Sequence, residues 1–430
     1  MSEWPMTTLG ELIHVKHGYA FKGEHFAETG DKLVLKPGNF PVGGGIKLRP
    51  GKDNYYSGVY PAEFELAPGA MLVVMTDLTQ AAPILGSPAF VPDEPVMLHN
   101  QRLGLVQIKP GVKVDERFLY YSMLSESARG QVRATATGAT VRHTAPERLY
   151  RVRIGFPDIG VQRSVGEILS SIDDLIENNR RRVAVLEEMA RAIYREWFVK
   201  FRYPGHEDVP LGDSALGPIP EGWELSTCGA ELTFIGGGTP SKSEPSYWDG
   251  GDVSWYTPTD LTKTGWRYTA PSELAITAQG LAKSSARLFP AGSVMMTSRA
   301  TLGVLAIATT EATTNQGFIV ILPDERWNPG FIYEWLDSKG TELAALGTGA
   351  TFKEITKGSF KSFPFVVPTQ SVLDDYRVAT EPLENQVHVL EQQTRSLSAL
   401  RDLLLPKLVT GQIDVSALDL DALRAEGVGS

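Results

Sequence analysis

Leu98-His99-Asn100-Gln101-Arg102 is answered, 215 positions later, by Thr313-Thr314-Asn315-Gln316-Gly317. The correspondence runs on in step. Glu116-Arg117-Phe118-Leu119-Tyr120 faces Gly330-Phe331-Ile332-Tyr333, Gly138-Ala139-Thr140 faces Gly349-Ala350-Thr351, and Arg153-Ile154 faces Phe365-Val366. Each copy then meets a proline, Pro157 or Pro368, and a long helical pattern. The chain reads as two similar modules alternating with two helices: 1–157, 158–204, 205–368 and 369–410, followed by a tail at 411–430. Any functional reading must explain why two such modules are held apart.

Composition narrows the field. A length of 430 residues suggests two to three domains, and 42% apolar content suffices for ordinary cores. No charged-then-apolar leader appears, and no run reaches the ~18 apolar residues of a membrane helix, since Arg299 interrupts Val294–Ala308. A cytoplasmic chain without a membrane partner is expected. The single cysteine, Cys228, excludes an internal disulfide and a cysteine-rich zinc site. The seven histidines show no helical His-x-x-x-His pair, so no metal is expected.

The net charge of −10 is unevenly spread. Residues 1–157 carry 17 Lys and Arg against 15 Asp and Glu, whereas 205–368 carry 11 against 18. Arg129, Arg133, Arg142, Arg148, Arg151 and Arg153 are interrupted by one acid, Glu147. A local basic patch matters more to a polyanion than the total.

Both modules read as mixed, strand-dominated α+β domains. Short apolar runs bounded by Gly and Pro predict strands at 33–37, 70–75 and 103–108, then at 253–256, 293–296, 303–307 and 318–322. Helices are predicted at about 114–127 and 329–338.

Ile172, Ile176, Asn179, Val183, Leu186, Ala190, Ile193 and Trp197 recur at heptad spacing. Leu383, Val387, Leu390, Thr394, Leu397, Leu400 and Leu404 form a second seam, with Pro406 as the expected stop. A seam left in water is unstable, so each needs a partner. Pairing the two as an antiparallel coiled coil would put one module at each end, related by a pseudo-twofold axis. Asn179 at a core position would help to set register. The alternative is that each helix packs only on its own module.

Catalytic motifs are missing. Gly236-Gly237-Gly238 leads into Thr239-Pro240 rather than a helix, which is the wrong context for a nucleotide cradle. No Asn/Asp-Pro-Pro loop, P-loop or Gly-x-Ser-x-Gly elbow occurs. Asp324, Asp337 and Lys339 match the loose pattern of a metal-dependent nuclease, but the first module has no counterpart. No catalytic residue is expected in this chain.

Binding residues are easier to nominate. Asn and Gln pair with adenine edges and Arg with guanine, which singles out Asn100, Gln101, Arg102, Asn315 and Gln316; the same Asn-Gln pairs can equally serve as turn-stabilising elements. Thr140, Arg142 and His143 follow a glycine turn, as Thr351 and Lys353 do in the second module. Arg299 suits a phosphate or base, and Asp77 a cytosine amine. Lys242, Lys357 and Lys361 complete the candidate cationic face of the second module.

At this point the chain resembles the specificity subunit of type I restriction–modification systems, over essentially its full length. The resemblance is carried by Phe156-Pro157 opening the first helix, Leu186-Glu187-Glu188-Met189-Ala190 and Trp197-Phe198-Val199-Lys200-Phe201. The linker Gly217-Pro218-Ile219-Pro220, Leu400-Arg401-Asp402-Leu403-Leu404 and Gly411-Gln412-Ile413-Asp414 carry it further. It implies two target-recognition domains, each reading half of a split site in double-stranded DNA, with paired helices as spacer. It also implies two modification (methyltransferase) subunits that supply S-adenosylmethionine and methylate adenine, and a restriction subunit that joins them. No cofactor is implied for this chain. A metal-dependent nuclease, or a protein-interaction scaffold without DNA contact, are the competing classes.

Overall fold

The computed structural model describes residues 4–349 and 353–416. The chain forms two compact units: one takes the sequence up to Ile176 and again from Ser396, the other takes Glu177–Arg395. Each combines helix and strand.

In the first unit the main sheet contains β1 (Ile13–His17), β2 (Met71–Val74), β3 (Pro88–Phe90) and β4 (Leu103–Ile108), in the order β1-β4-β2-β3, all antiparallel. The second unit repeats that order with β5 (Phe234–Gly236), β6 (Val294–Arg299), β7 (Thr301–Ile307) and β8 (Phe318–Ile321), as β5-β8-β6-β7. A smaller sheet with one parallel pair follows in each: Lys32–Val34 beside Val96–Leu98, and Trp255–Tyr256 beside Thr313–Thr314. The repeat read from sequence is thus a repeat of topology.

Both faces of β2 and β8 are buried, which is why these strands read as unbroken apolar runs. In β2, Met71 and Val73 face a helical layer while Leu72 and Val74 face the smaller sheet. In β6, Val294 and Met296 do the former and Met295 the latter. Helix 329–338 begins at Asn328, whose side chain accepts from Gly330 N, with Pro329 at the first position. The helix expected over 114–127 is two, Glu116–Leu124 and Glu126–Ala134, because Ser125 ends one and caps the next.

The long helices span Ile159–Tyr194 and Gln370–Leu408. The first closes in a wide turn over Arg195–Val199. Pro406 does not stop the second: it lies in the last turn, and the helix runs only two residues past it. Ile172, Ile176, Asn179, Val387 and Leu390 are buried; Val183, Leu186, Ile193, Leu383, Leu397 and Leu404 are half-buried, while Leu400 is exposed. Within the first unit Arg401 Nη1 meets Asp173 Oδ1 at 3.0 Å. Within the second, Asn179 Nδ2 donates to Gln393 Oε1 at 3.4 Å, and the Tyr194 and Tyr376 rings lie 6.3 Å apart. Partner numbers fall as position numbers rise, so the segments in the second unit run antiparallel.

Candidate nucleic-acid interface

The repeated Asn-Gln turn is built by its asparagine. Asn100 Oδ1 accepts from Arg102 N at 3.0 Å, and Asn315 Oδ1 from Gly317 N at 2.8 Å. Both side chains are thereby used in the turn, leaving Gln101, Arg102 and Gln316 exposed. Of the two readings open in the sequence, turn formation describes the asparagines.

Strand and hairpin complete the edge. In the first unit Met75 N donates to Arg102 O and Met75 O accepts from Thr144 N, both at 3.0 Å. Arg142 and His143 pair with Asp77 and Thr76, and Thr137 bridges His143 across the Gly138 turn. In the second unit Ser298 N donates to Gly317 O at 2.7 Å, Ser298 O accepts from Ile355 N at 2.9 Å, and Thr348 bridges Glu354. Turn, strand and hairpin therefore meet in the same way twice. Asn100, Gln101, Arg102, Asp77, Arg142 and His143 come together on one edge; Asn315, Gln316, Arg299 and Lys353 come together on the other.

Individual roles differ from expectation. Asp77 is buried, accepting from Thr79 N (2.9 Å), Thr79 Oγ1 (2.8 Å) and Ile84 N (2.9 Å), so it shapes its loop and offers no acceptor to cytosine. Arg142 donates to Gly138 O at 3.1 Å and pins the hairpin from within. Arg299 is paired with Glu354 at 2.8 Å on the surface, a contact a phosphate can displace. Thr140, His143, Lys242, Lys353 and Lys357 are exposed. Thr351 lies outside the described residues. Arg133 and Arg129, within the basic run, pair with Glu126.

Two features escaped sequence reasoning. Lys36 lies over the Phe26 ring (4.6 Å) and its pKa is lowered by burial, then by Arg102 and Arg49, so three cations from distant segments share one neighbourhood. Only the spacing Lys47-x-Arg49-x-x-Lys52 hinted at it. Secondly, Gly18 and Gly237 press against the two Asn turns: a Cβ would fall on the carbonyl oxygen of Asn100 or Asn315. The Gly236–Gly238 cluster is a close-packing device.

His99 sits behind the first edge, fully buried, its Nε2 3.0 Å from Leu103 O. Burial above all, with Lys16 and His17 nearby, lowers its pKa from 6.5 to about 4. A histidine depressed in this way is neutral when folded and gains its proton on unfolding, so its contribution holds above pH 6.5 and is lost as pH falls towards 4. His99→Gln is expected to flatten the acid side of the unfolding-midpoint profile in that window. Parallel profiles would remove the assignment.

The nuclease candidates are dispersed in local roles. Asp324 accepts from Arg326 N at 2.8 Å, Asp337 pairs with Arg191 at 3.2 Å, and Lys339 with Glu342 at 2.9 Å. Among the described residues no group of three or more His, Cys, Asp or Glu is placed to hold a metal, and no helix is long and apolar enough to cross a membrane.

Comparison with known proteins follows the same division. A family model described as "Type I restriction modification DNA specificity domain" matches residues 1–188 and 220–372. The type I restriction enzyme HindI specificity subunit of Haemophilus influenzae is 22% identical over 483 residues, covering 96% of this chain and 100% of that protein. The MjaIX specificity subunit of Methanocaldococcus jannaschii is 32% identical over 186 residues, 43% of this chain and 41% of that protein, so this chain matches less than half of it. Among solved structures, the S subunit of a type I restriction–modification system from M. genitalium superposes with a TM-score of 0.61 at 14% identity, covering 95% of this chain and 96% of that one. That likeness is one of fold.

Proposed function

The chain belongs to the type I restriction modification DNA specificity family, and from that premise we propose that it reads double-stranded DNA as two half-sites, one per module. The observation that carries the reading is the edge of turn, strand and hairpin, built identically in both units but lined by different side chains. A shared scaffold with unlike surfaces suits two unlike half-sites. Exposed Arg102 and Gln101, with Lys36 and Arg49 close by, offer the first module base and phosphate contacts; Gln316, Arg299, Lys242, Lys353 and Lys357 do so in the second.

The long helices would pair as an antiparallel coiled coil, the spacer of a pseudo-twofold arrangement with target-recognition domains 1–157 and 205–368. The Asn179–Gln393 contact and the buried seam support this. Two modification subunits would dock on this chain, bring S-adenosylmethionine and methylate adenine, with restriction subunits joining in the cytoplasm. No catalytic step would fall to this chain.

The test is selection of duplexes from a random pool by the purified chain, repeated across salt. Arg102→Ala is expected to cost about 10- to 100-fold and to relax preference in one half-site only. Lys353→Ala should weaken all sequences alike and lower the salt slope by roughly one. Selection returning no sequence, with retention indifferent to salt, would favour a scaffold without DNA contact.

A further inference from the structure

The second long helix carries a stripe that the seam does not use. Glu384, His388, Glu391 and Arg395 recur at spacings of four, three and four, one position round from Leu383, Val387, Leu390 and Thr394. Heptad spacing keeps such a stripe on one face. All four close on one segment of their own module, Trp266-Arg267-Tyr268. Glu391 accepts from Arg267 N at 2.8 Å and from Tyr268 N at 2.9 Å. His388 stacks on Tyr268 at 4.6 Å, and Arg395 lies over Trp266 at 4.7 Å.

Arg267 is the centre of this clamp. Its side chain is 2% exposed, donates to Glu334 on helix 329–338 at 2.5 Å, faces Glu384 on the long helix at 3.9 Å, and lies over the Tyr333 ring at 4.1 Å. One guanidinium thus ties a module helix to the long helix. A buried cation is costly unless its partners are held in place, so the arrangement selects one geometry and penalises others.

The first helix is built differently at the matching places. Asp173, like Glu384 the fifteenth residue of its helix, takes the Tyr121 hydroxyl at 2.7 Å; Tyr121 stands where Glu334 stands, six residues after the helix cap. The next three matching positions, Glu177, Arg180 and Ala184, are exposed.

We propose that Arg267 is a positioning residue: with the Glu384–Arg395 stripe it sets the angle at which the second module leaves its helix, and so the gap between half-sites that the protein accepts. The second part rests on the functional reading above. A rigid link concentrates the second module at one separation, whereas a loose link spreads it over several.

The test uses the full chain with spin labels at Gln392 on the helix and Lys283 on the module, both exposed; the one native cysteine, Cys228, is buried. Arg267→Lys keeps the charge without the fork. The Arg267→Met/Glu334→Gln/Glu384→Gln variant, which removes the cation together with both carboxylates, guards against unfolding from stranded carboxylates. Both should melt cooperatively, broaden the label-to-label distance distribution about twofold, and flatten the binding profile over gap length while a lone second half-site binds within about threefold of wild type. An unchanged distance distribution in a folded variant would overturn the clamp, whatever the DNA result. Equal losses on lone and paired half-sites would overturn its link to gap length. A wild-type chain that selects no sequence would overturn the functional reading and leave the distances to judge the clamp.

Discussion

Gly237→Ala is expected to destabilise the second module by about 3 kcal/mol and to erase recognition of one half-site while the other persists. The added methyl would land on the carbonyl oxygens of Thr314 and Asn315 and on the Thr314 hydroxyl, most of it backbone that cannot swing away. Relief requires the turn to retreat, carrying Gln316 with it, and the turn also bonds to strand and hairpin through Gly317 and Ser298. Gly18→Ala should do the same to the first module through Asn100. Gly212→Ala, where a methyl meets nothing, is the control. Unfolding midpoints and duplex selection for the three variants decide it; a Gly237→Ala protein matching the control would show that the turn yields without cost.

Adding one heptad to each long helix near the Asn179–Gln393 contact should move the preferred gap and leave both half-site sequences unchanged. Seven residues add about 10 Å of helix, the rise of about three base pairs. On the original target one module would lose its half-site, and since each lost base pair costs roughly 1–3 kcal/mol, binding should fall at least about 100-fold. A gap profile that stays put would mean that the helices do not set the separation.

The sequence showed its repeat because the demands were local. Asparagine at the turn, Asp115 or Asn328 at a helix cap and apolar strands buried on both faces each leave a mark on a few adjacent residues. The two long helices were as legible, heptad periodicity being a property of one segment. Asp77 misled because a carboxylate in a strand loop looks alike whether it faces solvent or caps the loop behind it. Beyond the spacing of Lys47, Arg49 and Lys52, the Lys36–Arg49–Arg102 neighbourhood left no mark, since nothing in three separate segments records that they converge. The stripe Glu384, His388, Glu391, Arg395 was readable as spacing but resembled an ordinary solvated face.

The chain's own order of residues therefore determined two like modules, two long helices and the turns that recur. Tertiary structure alone decided which polar side chains are consumed in building the edge, which are left exposed on it, and that one buried guanidinium ties module to helix. The physical reason is range. Propensity, capping and periodicity act within a few residues, whereas burial, charge clustering and steric exclusion depend on segments that only folding brings together.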